Sequence, residues 1–155
     1  MKKTNAMRIL DDYGIPYEAI EYDGTSFHSG MEVASITGEP ANLVYKTLVT
    51  HSKDQYFVFV IPSNGELDLK KGAEILGVKK LEMLPVKDLL HKTGYIKGGC
   101  TSIGMKKQYP TFFHQDAKKK EYIYISGGKR GIQLKLNAND LKNVMDIRFV
   151  DVLKE

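Results

Sequence analysis

The 155-residue chain has one cysteine and no tryptophan. A lone cysteine excludes an internal disulfide framework and points to the reducing cytoplasm. No stretch approaches the roughly 18 apolar residues needed to span a bilayer, so the expectation is a soluble protein with no membrane partner. The five prolines are scattered, no Pro/Ser-rich linker divides the chain, and its length suits one domain over residues 1–155. Met1 to Ala6 carries charge and leads into an amphipathic helical pattern rather than an apolar signal core. Several enzyme signatures are missing as well. Gly99 and Gly104 have the spacing of a P-loop, but Met105-Lys106-Lys107 stands where Lys-Ser/Thr is required. No G-x-G-x-x-G follows a strand, and no G-x-S-x-G elbow places a serine nucleophile. His28, His51, His91 and His114 lack the spacing of a zinc site, so neither a metal nor a cofactor is expected.

What is present begins with charge. The formal net charge is +4 and the sequence pI about 9.0. Lys70-Lys71, Lys79-Lys80, Lys106-Lys107, Lys118-Lys119-Lys120 and Lys129-Arg130 gather eleven of the 23 basic residues into short clusters. Such placement suits a polyanion steered onto one surface, although any single cluster reads equally well as a solvated turn.

Thr4 is placed to cap a helix bearing Met7, Leu10 and Tyr13 on one face, stopped by Gly14 and Pro16. A strand over residues 17–22 and a short helix over 30–36, closed by Gly38, follow. Residues 45–50 and 55–61 read as a hairpin through His51-Ser52-Lys53-Asp54, and the unbroken apolar run from Phe57 to Ile61 suggests a strand covered on both faces. Helices are expected over 67–76, closed by Gly77, and over 85–91, with a short strand between them. Gly94 to Gly104 holds four glycines in eleven residues, too many for regular structure, and reads as a shaped loop. Strands over 111–115, 121–126 and 132–136, a helix over 140–145 and a last strand over 147–152 complete the pattern. The mixed order favours an α+β fold, a mixed or antiparallel β-barrel-like sheet flanked by short helices.

Within this pattern Lys46 stands out: a single ammonium inside Val44-Tyr45-Lys46-Thr47-Leu48-Val49, which otherwise reads as a buried strand. Burying a charge is costly unless an anionic or electron-rich partner meets it. The glycine-rich stretches Thr93 to Gly99 and Ser126 to Gly131 offer open backbone amides of the kind that surround a phosphate or polarise an ester carbonyl. A strand-end lysine that snorkels to water is the plain alternative. Cys100, in the glycine loop, reads as a small buried hydrophobe more readily than as an exposed thiolate.

Four blocks carry a family resemblance in their order and spacing: Val44 to Leu48; Glu66 to Lys71; Thr93-Gly94-Tyr95 with Gly98-Gly99 and Ile103 to Lys107; and Tyr124 to Gly131. Together they cover nearly the whole chain, which resembles the YbaK/EbsC family. The resemblance implies a mixed β-barrel with flanking helices and a free-standing trans-editing aminoacyl-tRNA deacylase. Its substrate would be cysteine wrongly attached to proline tRNA, or Cys-tRNA(Cys), and the substrate's own thiol would attack its ester. It also implies that Lys46 is the catalytic residue, anchoring the terminal adenosine phosphate or the ester. Tyr22, Phe27, Thr47, Gly98, Gly99, Ser126 and Gly127 would bind substrate, the basic clusters would meet the tRNA acceptor end, and prolyl-tRNA synthetase is the candidate protein partner. The chain departs from many bacterial members at Thr101-Ser102, where they carry Ser-Pro, and at Gln133, where they carry aspartate. Two alternatives stay open: an alanyl-tRNA(Pro) deacylase using water, and a non-catalytic tRNA-binding module.

Overall fold

The computed structural model describes residues 1–155. Two sheets form its frame. β1 (Glu18–Glu21), β7 (Ile132–Leu136) and β6 (Ile123–Ser126) make a three-stranded antiparallel sheet in the order β1-β7-β6. The second sheet runs β4-β2-β3-β5-β8, from β4 (Glu82–Met83), β2 (Tyr45–Ser52), β3 (Gln55–Pro62), β5 (Thr111–His114) and β8 (Ile147–Val150). It is mixed: β2 pairs antiparallel with β3 and β4, whereas β3–β5 and β5–β8 are parallel.

The α+β reading is borne out, but the barrel is not closed. A single parallel bridge, Val44 to Tyr124, joins the two sheets, reinforced by a 2.8 Å hydrogen bond from the Tyr124 amide to the Leu43 carbonyl. Beyond that bridge β2 and β6 form no ladder. The side chains that follow it on each strand therefore border a crevice.

The apolar run of β3 is divided as strand geometry requires. Val58 and Val60 belong to the largest core cluster, with α1 (Asn5–Asp12), β6 and β7, while Phe57, Phe59 and Ile61 join the cluster that includes Ala73 of α3 (Leu69–Leu76). Successive side chains point to opposite faces, and both faces are covered. Full burial of residues such as Phe59 and Ile61 contributes about 1.5–3 kcal/mol each.

Several boundaries shift. The β2–β3 connection is a two-residue turn at Lys53-Asp54, because Ser52 already pairs with Gln55, and Lys53 takes the left-handed conformation (φ 54°). Thr4 does cap α1, accepting from the Met7 amide, yet Tyr13 is exposed and the buried face is Ala6, Met7 and Leu10. α3 begins at Leu69, where Asp68 caps it by accepting from the Lys70 and Lys71 amides. α4 (Val86–Thr93) follows Pro85 and ends at left-handed Gly94. The expected helix over 140–145 is a 3₁₀ helix, Ala138–Asn143, and another 3₁₀ helix, Gln115–Lys119, replaces the end of a predicted strand. No helix is long and apolar enough to cross a membrane.

Candidate active site

The crevice beside the Val44–Tyr124 bridge is a cavity of about 240 Å³. Strand β2 supplies Tyr45, Lys46, Thr47 and Leu48; Ser126 enters from the end of β6 and Gln133 from the adjacent β7. Tyr22, Phe27 and His28 come from the loop after β1, and Lys97, Gly98 and Cys100 from the glycine loop. The structure thus brings together Lys46, Tyr22, Phe27, Thr47, Gly98 and Ser126.

Gly99 and Gly127, also expected to bind substrate, are not in the lining of this cavity. Each stands behind the wall, where only a missing Cβ allows the packing. An added Cβ on Gly99 would lie 3.1–3.2 Å from the backbone of Lys129 and Arg130, and one on Gly127 2.6 Å from Ile132 Cγ2. They fit the two glycine stretches closely against their neighbours, which fixes the lining residues Gly98 and Ser126 beside them.

Lys46 is half-buried. Its Nζ donates one long hydrogen bond, 3.4 Å, to the Ser63 carbonyl, and it has no carboxylate partner within ion-pair distance. Burial holds its pKa below the usual lysine value, with Glu66 acting weakly in the other direction. An ammonium so placed retains donors for an incoming oxygen.

A helix end is a further source of amides. Helix α2 (Gly30–Thr37) presents its N-terminus at the rim, with His28, Ser29 and Gly30 in the lining. Ser29 and Glu32 form a capping box: Ser29 Oγ accepts from the Glu32 amide, and Glu32 returns a bond to the Ser29 amide, which lowers the Glu32 pKa. The Gly30 and Met31 amides, in the first helical turn, have no intrahelical acceptor and favour an electron-rich group. The Ser29-x-x-Glu32 pattern is the sequence signal that would have found this helix end.

At the mouth, Phe27 is 39 % exposed and carries two cations, Lys97 Nζ at 4.6 Å and Arg130 Cζ at 5.6 Å from the ring centre. Arg130 Nε donates to the Lys97 carbonyl at 2.8 Å, which locks the two loops together. No acidic residue occurs between Asp88 and Asp116 or between Glu121 and Asp140, so both glycine loops are free of negative charge. None of Lys97, Lys106, Lys107, Lys129 and Arg130 is in an ion pair. The basic clusters do not act alike, however: Lys71 is bound to the Leu153 carbonyl and flanked by Asp151 and Glu155, and Lys80 faces Glu82.

Cys100 is buried, as expected, although it does touch the cavity. Burial pushes its thiol up to about 12, opposed only by the Thr93 hydroxyl, so almost none is thiolate near neutral pH. No hydroxyl of the lining is hydrogen-bonded to a histidine; Ser126 Oγ instead accepts from the Gly128 amide at 3.2 Å. A protein nucleophile with an activating base is therefore not assembled here. Accordingly, Cys100→Ala is expected to keep at least half of any activity of this site, and the native thiol to resist iodoacetamide at pH 8 until the protein unfolds. Rapid alkylation that stops activity would contradict this. No group of three His, Cys, Asp or Glu residues is arranged to hold a metal ion.

A mixed two-sheet α+β fold with a lysine set in an amide-bordered, basic-mouthed crevice defines the class. The family follows from comparison. Residues 27–144 match the aminoacyl-tRNA editing domain, and the chain belongs to that family. It is 43 % identical over 153 residues to a provisionally named Cys-tRNA(Pro)/Cys-tRNA(Cys) deacylase, EbsC, of Enterococcus faecalis, covering 97 % of this chain and 93 % of that protein. The YbaK/EbsC resemblance is thereby borne out. Among solved structures, one described as a provisional trans-editing enzyme for prolyl-tRNA synthetase aligns with TM-score 0.84 at 18 % identity, covering 99 % of this chain and all of that one. The hypothetical protein APE2540 aligns with TM-score 0.85 at 17 % identity, over 95 % and 97 % of the two chains. At such identities these likenesses speak for the fold alone.

Proposed function

We propose that the protein is a cytoplasmic trans-editing aminoacyl-tRNA deacylase that removes cysteine from mischarged proline tRNA. The observation that carries this reading is Lys46: a half-buried ammonium with one weak protein acceptor, inside a cavity that contains no activated protein nucleophile. Family membership and the similarity to EbsC support the substrate class. Cysteine and proline are close in size, and a binding pocket separates near-isosteres by only about 1–3 kcal/mol, so a second, editing site answers a real chemical need.

In this reading the terminal adenosine enters past Phe27, Lys97 and Arg130, whose ring and cations suit a base and its phosphates. The ester carbonyl is directed at the Lys46 ammonium and the free amides of α2. The substrate thiol attacks that carbonyl carbon: an S–C bond forms, the bond from the carbonyl carbon to the ribose oxygen breaks, the thiol proton leaves to solvent and the ribose oxygen takes one up. The products are a cyclic thiolactone and free tRNA. The chain's contribution is orientation and stabilisation of the carbonyl oxygen as charge develops on it. Prolyl-tRNA synthetase is the protein partner this reading suggests, since it makes the mischarged substrate.

The test is single-turnover deacylation of cysteinyl- and alanyl-tRNA(Pro), with product analysis for the thiolactone. Release of cysteine at least tenfold faster than alanine is expected. Faster release of alanine would favour water attack, and binding of tRNA without release of either would leave a binding module only.

A further inference from the structure

Gln133 carries an unmet demand in the cavity wall. It lies on β7, opposite Ser126 of β6 on one side and Ile20 of β1 on the other, and it is only 4 % exposed. Its side-chain oxygen, Oε1, has no hydrogen-bond donor anywhere in the protein. The neighbouring hydroxyl, Ser126 Oγ, accepts from the Gly128 amide and makes no hydrogen bond to Gln133. Buried acceptors are normally satisfied, and Gln133 lines the cavity, so a donor that enters there and meets this oxygen gains affinity.

Lys46 lies on β2 and Gln133 on β7, with β6 between them in the sheet order, so cation and bare acceptor belong to different walls of one cavity. An aminoacyl ester has the complementary pair along one short group: a carbonyl oxygen that accepts and an α-ammonium that donates. We infer that Gln133 receives the α-ammonium of the aminoacyl group, selecting esters of unblocked amino acids and turning the ester carbonyl toward Lys46. The inference rests on the deacylase reading and adds to it the feature of the acyl group that is recognised. Gln133 is a specificity and positioning residue here; its carboxamide is neutral at every pH, so it accepts the bond without titrating.

The experiment uses binding, so that it stands apart from whether turnover occurs. The probes are adenosine carrying cysteine in a non-hydrolysable 3′-amide, and the same compound with 3-mercaptopropionyl, which keeps the thiol and lacks the amino group. The native protein is expected to bind the cysteinyl compound roughly 10- to 100-fold more tightly, the range of a hydrogen bond to a charged group. Gln133→Leu, close in size, is expected to bind both compounds with the weaker affinity, and Gln133→Glu to restore the preference. The Leu variant should melt no lower than the native protein, since it removes an unsatisfied polar atom, whereas loss of a merely structural hydrogen bond would lower its Tm. Equal affinity of the native protein for the two compounds, or binding of neither, overturns the inference. So does a Leu variant that keeps the preference. Failure of the deacylase reading would appear instead as absent release of amino acid in the turnover assay.

Discussion

Lys46→Ala is expected to lower kcat/KM for cysteinyl-tRNA by about 10²- to 10³-fold, the loss typical of removing one preorganised donor from a developing oxyanion. The loss should fall on kcat if the ammonium meets the carbonyl, and on KM if it mainly holds a phosphate. Stability should not follow activity. The Lys46 ammonium has one 3.4 Å hydrogen bond and no ion pair, so its removal deletes a desolvation cost along with a weak contact, and the melting temperature is expected to stay level or rise. The pKa direction yields a further expectation. Lys46 is a base whose folded pKa lies below its ordinary value of 10.5. The cost of burying its charge is therefore fully present below the folded pKa and fades as pH rises from there toward 10.5. On the proposed mechanism the ammonium is the active form, so activity should decline as pH rises through the folded pKa, after subtraction of spontaneous ester hydrolysis. In Lys46→Arg the alkaline decline should be absent from that window, because a guanidinium does not titrate there. An Ala variant with native kcat/KM would remove Lys46 from the chemistry.

Gly24→Ala is expected to produce the largest loss of stability among single glycine substitutions at the site. A Cβ there would lie 2.5 Å from the Arg130 carbonyl carbon and the Gly131 nitrogen, and 2.6 Å from the Arg130 oxygen. These are backbone atoms, held in turn by a 2.9 Å bond from the Tyr22 amide to the Gly131 carbonyl, so neither chain can yield as a flexible side chain would. Forced overpacking of this kind costs about 1–3 kcal/mol, or roughly 2–12 °C in Tm for a chain of this size. Because the loop after Gly24 delivers Phe27 and His28 to the cavity, KM should rise as well. Gly14→Ala is the control: its φ of +68° carries strain of about 1–2 kcal/mol, but nothing lies within 4 Å of the added methyl. A Gly24→Ala protein that melts no lower than Gly14→Ala would refute the close contact of the two loops.

The site was legible in part. Lys46 could be singled out because one charge interrupts an apolar strand pattern, and the structure does set it in a cavity. Tyr22, Phe27, Thr47, Gly98 and Ser126 came from the family resemblance, and they converge there as well. Gly99 and Gly127 did not, since a glycine needed for close packing and one needed for ligand access look the same in a sequence. Helix α2 was foreseen as a helix, but its orientation toward the crevice depends on contacts far along the chain. A Cβ on Gly30 would meet Ser63 Cβ at 2.8 Å, a contact between residues 33 positions apart.

Local pattern thus determined the order of elements, the doubly covered strand β3 and the odd lysine of β2. These depend on side-chain period, caps and turn chemistry, which act over a few residues. Only the tertiary structure decided that the two sheets join at a single bridge and part beyond it. That parting brings Lys46, Ser126 and Gln133 to the walls of one cavity and leaves the Gln133 oxygen without a donor. Such juxtapositions are long-range: they are set by how sheets pack and where a ladder ends, and no window of sequence contains both sides of the contact.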